Sequence, residues 1–162
     1  MQRSLAEVVG SLADRCGTVP GDPADEHDRW AVYRRALAEP ACLPDLFDAV
    51  ALEPDSALVL TVVLNLLGAL PAADRPVWIG RLGTGDSRAH ATRRARELAV
   101  LQSGSVTELL TDPSVQDLWS DWLQLGLAAA SPEPAVLGRL ADHGRTRRIR
   151  RLATTRARTL GR

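Results

Sequence analysis

Lysine is absent from this 162-residue chain: all 20 basic residues are arginine, and 20 acids balance them. A net charge of zero by itself asks for no polyanionic partner. The exclusive use of arginine reads as codon bias in a GC-rich, bacterial genome. Aromatic residues are also scarce, 4% of the chain against 45% apolar residues. The core must therefore be built from Leu, Ala and Val, a mixture that suits helices better than a β-sandwich. Thiols are limited to Cys16 and Cys42, too few for a disulfide framework though enough for one bridge. No long hydrophobic run occurs: the longest, 57–70, has 14 residues, contains Asn65 and falls short of a bilayer. Arg3 and Glu7 interrupt the opening segment, so no signal peptide is expected. A cytoplasmic protein with no membrane partner is the resulting expectation.

What remains is helical patterning. Leu5, Val8, Val9, Leu12 and Cys16 recur at helical spacing and predict an amphipathic helix ended by Gly17. An acidic loop closes on an N-cap at Asp25, and Trp30, Tyr33 and Leu37 mark a second helix stopped by Pro40. Leu43, Leu46, Phe47 and Val50 mark a third. Asp55 or Ser56 caps a helix over 57–70, apolar on nearly all sides and so expected to be central. A short helix over 74–82 has Pro76 in its first turn, where a missing N–H costs nothing. Asp86 or Ser87 then caps a helix to about 102, with Ala91, Ala95, Leu98 and Ala99 facing inward. No window alternates with a period of two.

The phrase "PVWIGRL" at 76–82 returns as "PAVLGRL" at 134–140. Aligned at an offset of 58, residues 52–99 and 110–157 share 13 identities over 48 pairs, against roughly four expected by chance. They include Leu67–Gly68 with Leu125–Gly126 and Gly80–Arg81–Leu82 with Gly138–Arg139–Leu140. The second copy reads as a helix capped by Asp112 with Pro113 at its first position, a short helix over 131–144, and a closing helix from 145. A helical unit that cannot bury its own apolar face is completed by stacking on a copy of itself. Gly80 and Gly138 are expected where backbones approach closely. "ARELA" at 95–99 and "IRRLA" at 149–153 resemble the second helix of HEAT repeats, and over about 50–160 the chain resembles the HEAT/armadillo class of α-solenoids. The resemblance implies an all-α, right-handed superhelical stack of about eight or nine helices. The layout is one domain over 1–162: capping helices at 1–50, repeat units at 52–104 and 110–162.

Few residues point to catalysis. "GTGDSR" at 83–88 contains the Gly-Asp-Ser of hydrolases and two glycines able to cradle phosphate, but both need a preceding strand and none is expected. A turn followed by a helix cap explains the same residues. His27, His90 and His143 lack the i, i+4 pairing of a helical zinc site. "DEHD" at 25–28 suits a helix N-terminus. Cys16 belongs to an apolar stripe and is expected to be buried and inert, while the loop position of Cys42 before Pro44 leaves its exposure open. No cofactor or metal is implied.

Binding is better represented. Trp119 and Trp122, interleaved with Asp117 and Asp121, can frame a pocket for a planar or cationic group, although the stripe Leu118–Trp122–Leu125 makes Trp122 a core residue. The resemblance adds a precedent, since HEAT-like alkylpurine DNA glycosylases use Trp and Asp in a concave groove. Arg81 and Arg139 occupy equivalent places in the two copies, suited either to a ladder of inter-repeat ion pairs or to a bidentate grip on an acidic ligand. The strongest departure lies in 143–162, with eight arginines and no acid, against a body of net charge −8. Ile149, Leu152, Ala153, Ala157 and Leu160 form its apolar stripe. The surrounding arginines, Arg147, Arg148 and Arg151 among them, can neutralise the body, hold an acidic protein or contact phosphate. The expected function is a non-enzymatic module for a protein partner, an adaptor or an immunity-type inhibitor of a toxin, using Arg81, Arg139, Arg147, Arg148, Arg151 and Trp119. The alternative is a nucleic-acid-binding or DNA-glycosylase-like protein.

Overall fold

The computed structural model describes residues 3–83, 85–103, 106 and 118–161. Among these the chain is all-helical and contains no strand. The described residues include nine α-helices: α1 (Leu5–Arg15), α2 (Glu26–Leu37), α3 (Leu43–Leu52), α4 (Ser56–Leu67), α5 (Arg75–Ile79), α6 (Asp86–Ser103), α7 (Asp121–Ala130), α8 (Pro134–His143) and α9 (Arg147–Leu160). A 3-10 turn, Pro40–Cys42, leads into α3. No helix among the described residues is long and apolar enough to cross a membrane. The chain divides into two compact units, Met1–Ala95 and Arg96–Arg162, with the boundary inside α6.

In the first unit the helix ends follow side-chain chemistry. The Ser4 hydroxyl accepts from the Glu7 backbone N–H while the Glu7 carboxylate accepts from that of Ser4, a reciprocal box that starts α1. Asp25 starts α2 by accepting from His27 and Asp28, and Asp55 starts α4 by accepting from Ala57 and Leu58. Val8, Val9, Leu12 and Cys16 of the first stripe are buried. α1 packs on α2 and α3, and α2 packs on α4. α4 buries six of its apolar side chains, as its all-round hydrophobicity requires. Asn65, however, is exposed and donates to the Thr61 carbonyl at 2.8 Å, so it needs no buried partner.

In the second unit α9 packs on α8 and α7, around a core of Trp119, Leu123, Leu127, Val136, Leu137, Leu140, Ile149 and Ala153. Here the expected order of the indoles is reversed. Residues 118–120 are not helical, and Ser120 caps α7 by accepting from Leu123. The stripe Leu118–Trp122–Leu125 is thereby interrupted: Leu118 is 79% exposed, Trp122 is half-buried, and Trp119 goes into the core at 5% exposure. The proposed Asp112 cap and Pro113 lie outside the described residues.

The two sequence copies begin their short helices alike, with Pro76 and Pro134 each in the first turn. Their glycines then occupy different positions. Gly68 and Gly80 are C-caps of α4 and α5, whereas Gly126 and Gly138 lie inside α7 and α8. A Cβ on Gly138 would meet nothing within 4 Å, and one on Gly80 would meet only its own turn, 3.2 Å from the Val77 carbonyl oxygen. Close backbone approach is thus not their role; Gly126 alone of these touches a neighbouring side chain, Leu101.

Candidate functional site

α9 presents the most distinctive surface. Thr146 caps it by accepting from Ile149 at 3.2 Å, and no acid lies along its length. Ile149 and Ala153 are buried, Leu152 and Ala157 half-buried, and Leu160 is exposed. On the opposite side Arg147, Arg148, Arg151 and Arg158 are all exposed. At 100° per residue these four fall within one face, and at 1.5 Å rise they span about 16 Å. Among the described residues none of the four has an ion pair or a side-chain hydrogen bond.

Other arginines of the segment serve the fold. Arg145 donates to the Trp119 carbonyl at 2.7 Å and to Asp121 at 3.0 Å, while its backbone N–H donates to Gln124 Oε1. It therefore braces the turn that buries Trp119. Arg150 donates to the Gly144 carbonyl, closing the bend between α8 and α9.

The remaining predicted residues are distributed differently. Arg81 lies with its guanidinium carbon 3.6 Å over the Phe47 ring, which itself meets Trp78 edge-on at 4.9 Å between centroids. A cation on a ring face replaces the expected ion-pair ladder at this position. Arg139 is half-buried in α8. Trp119 is interior, so its indole offers no open face to a partner. The structure thus brings Arg147, Arg148 and Arg151 together and sets Arg81 and Trp119 in packed surroundings.

The chemistry-bearing motifs also resolve. α6 starts one residue earlier than expected: Gly85, at φ +102°, precedes it and its carbonyl accepts from Ala89. Ser87 is left at the second helical position, half-buried and without a hydrogen-bond partner. Cys42, whose exposure the loop position left open, is fully buried in the 3-10 turn. Its thiol contacts that of Cys16, and both are free. Burial above all, and then the Cys42 thiol, push Cys16 up to about 12, so it is no nucleophile. No cluster able to hold a metal occurs among the described residues.

One cluster escaped sequence reasoning. Glu53, just after α3, receives Arg29 through two hydrogen bonds of 2.9 and 2.8 Å, the Tyr33 hydroxyl at 2.8 Å and the Asp55 N–H at 3.1 Å. Arg29 Nη1 also donates to the carbonyls of Pro23 and Ala24. Both charges are buried. The hydrogen bonds to Glu53 raise Arg29, and burial raises the Tyr33 phenol. The only sequence signal was an arginine one turn before Tyr33 on the inward face of α2. With four hydrogen bonds from the guanidinium and four onto the carboxylate all made internally, this cluster is structural.

The chain matches no family model, no curated protein and no solved structure.

Proposed function

We propose that this protein is a non-enzymatic binding module, an adaptor or immunity-type inhibitor, that holds the acidic face of a protein partner against α9. The proposal carries with it a HEAT/armadillo-like superhelical stacking of the helices and a cytoplasmic setting. The observation that supports it is the row Arg147, Arg148, Arg151 and Arg158, exposed on one helix face with no internal partner. A preformed helix loses little entropy on docking, and planar guanidinium groups suit carboxylates bidentately. Rim charges of this kind steer encounter and set register.

Nucleic acid is the second reading, favoured by the same arginines. Four phosphate contacts would give a slope of about −3.6 in log affinity against log salt, and roughly a hundredfold loss between 50 and 200 mM. No aromatic residue lies on this face for base stacking. Fluorescence anisotropy separates the readings, using a helical peptide with Glu at i, i+4 and i+11 beside a 20-base-pair duplex. The peptide is expected to bind, and to lose about tenfold or more when Arg147, Arg148 and Arg151 become Ser. Tighter binding of the duplex with the steep salt slope establishes the second reading instead. Binding of neither removes the role assigned to α9.

A further inference from the structure

A recess of about 250 Å3 opens in the first unit between the start of α4, the start of α6 and the segment after α5. Its polar lining includes Ser56, Ser87 and Arg81, and its apolar wall is Pro54, Val59 and Leu82. None of the three polar side chains has a hydrogen-bond or ion-pair partner inside the protein. Arg81 and Ser87 are half-buried and Ser56 lies exposed at the mouth; polar groups withdrawn from water normally find partners.

Each donor is held in place by something else. Arg81 is flattened on Phe47, which fixes the plane of its guanidinium and leaves its Nη edge unoccupied. Its Nε is shut off from solvent with no acceptor. Arg88 donates to the carbonyls of Gly80 at 3.2 Å and Leu82 at 2.6 Å, tying down the segment that carries Arg81. Ser87 is free because Gly85, not a side chain, stands at the start of α6. Ser56 is free because Asp55 supplies the cap of α4.

The electrostatics favour an anion. Glu53 also lines the recess, but its carboxylate is matched by Arg29 and saturated by four hydrogen bonds. Arg81 is left as the uncompensated charge. Arg81, Ser56 and Ser87 come from three separate chain segments and line one recess, so an anion with more than two acceptor oxygens, such as a phosphate, can engage a guanidinium and two hydroxyls together.

We propose that the recess lined by Arg81, Ser56 and Ser87 is a binding site for a small phosphomonoester. Arg81 and the two hydroxyls hold the phosphate, and Pro54, Val59 and Leu82 cover a short apolar body. The site is separate from the arginine row of α9 and does not depend on it.

Isothermal titration and 1H–15N spectra of the full chain, at constant ionic strength, test the site with phenyl phosphate, inorganic phosphate and benzoate as probes. Phenyl phosphate is expected to bind saturably and to move the amide signals of Ser56, Gly83 and Ser87, with inorganic phosphate weaker. Arg81→Gln is expected to weaken binding by about tenfold or more, and Ser87→Ala by about threefold to tenfold. Replacing Arg147, Arg148 and Arg151 by Ser should leave it unchanged. If Arg81→Gln fails to fold, Ser87→Ala and the unaltered chain decide the matter. Non-saturating binding, equal binding of benzoate, signals moving on α9, or indifference to Ser87→Ala overturns the proposal.

Discussion

Glu53 shows what a single buried charge commits a fold to. Its carboxylate is fully enclosed and is balanced by one guanidinium, one phenol and one backbone N–H. Glu53→Gln leaves Arg29 as a buried cation without its counter-ion, an expected loss of about 3–5 kcal/mol in urea unfolding. Arg29→Met leaves the carboxylate stranded and should cost a similar amount. pH acts through two neighbours. Burial, the Cys42 thiol and the Glu53 carboxylate raise Cys16 and Tyr33, so the folded chain holds both protons more tightly than the unfolded chain does. Their contribution is complete below the ordinary values of 9.0 and 10.0 and is lost as pH rises past them. Urea midpoints should thus hold level up to about pH 9 and fall above it. Cys16→Ala should remove the first part of that fall; an unchanged fall in this variant would assign it elsewhere. Tyr33 was read from its spacing as part of an apolar helix face, which is correct for its ring. The hydroxyl's destination on Glu53, 20 residues away, is a tertiary fact.

Among the elements, the helices were well marked by their own ends. Asp25, Asp55 and Pro76 stand at the starts assigned to them, because capping is settled within four residues of chain. The failures lie where two local solutions competed. At 118–120 the expected stripe is broken by a cap at Ser120, which carries Trp119 into the core while Trp122 packs half-buried against it. At the start of α6, Gly85 displaced Asp86 and Ser87 as the cap. The repeated phrase gives a sharp contrast between glycines. Gly138 sits inside α8 with nothing near its missing Cβ, so Gly138→Ala should stabilise by about 0.5–1 kcal/mol through helix propensity. Gly144, between α8 and α9, would bring a Cβ against the Leu140 carbonyl oxygen and within 2.7 Å of Ile149 Cγ2. Gly144→Ala should cost roughly 1–3 kcal/mol. Thermal melts of the two variants must move in opposite directions.

At the scale of the molecule, the chain divides into two compact units, Met1–Ala95 and Arg96–Arg162. The second unit contains its own apolar cluster, with Val100 and Leu101 of α6 packed against it. Glu97 of the same helix accepts from the Ser120 N–H at 3.3 Å. A fragment of residues 96–162 should therefore keep helical circular dichroism and a blue-shifted indole emission from Trp119. Emission characteristic of a solvated indole would show that this core does not sustain itself. Helical class, the places of most caps and the arginine-rich last helix were settled by the sequence alone, since they rest on composition, period and contacts within a turn or two. Which arginines remain free was not. Arg145 and Arg150 are engaged by a carbonyl or a carboxylate that folding brings near, Arg81 lies on an aromatic ring with its Nε unmatched, and Arg147, Arg148, Arg151 and Arg158 face water. Equal residue types acquire different roles there because partners distant along the chain, and not local propensity, decide which donors are satisfied.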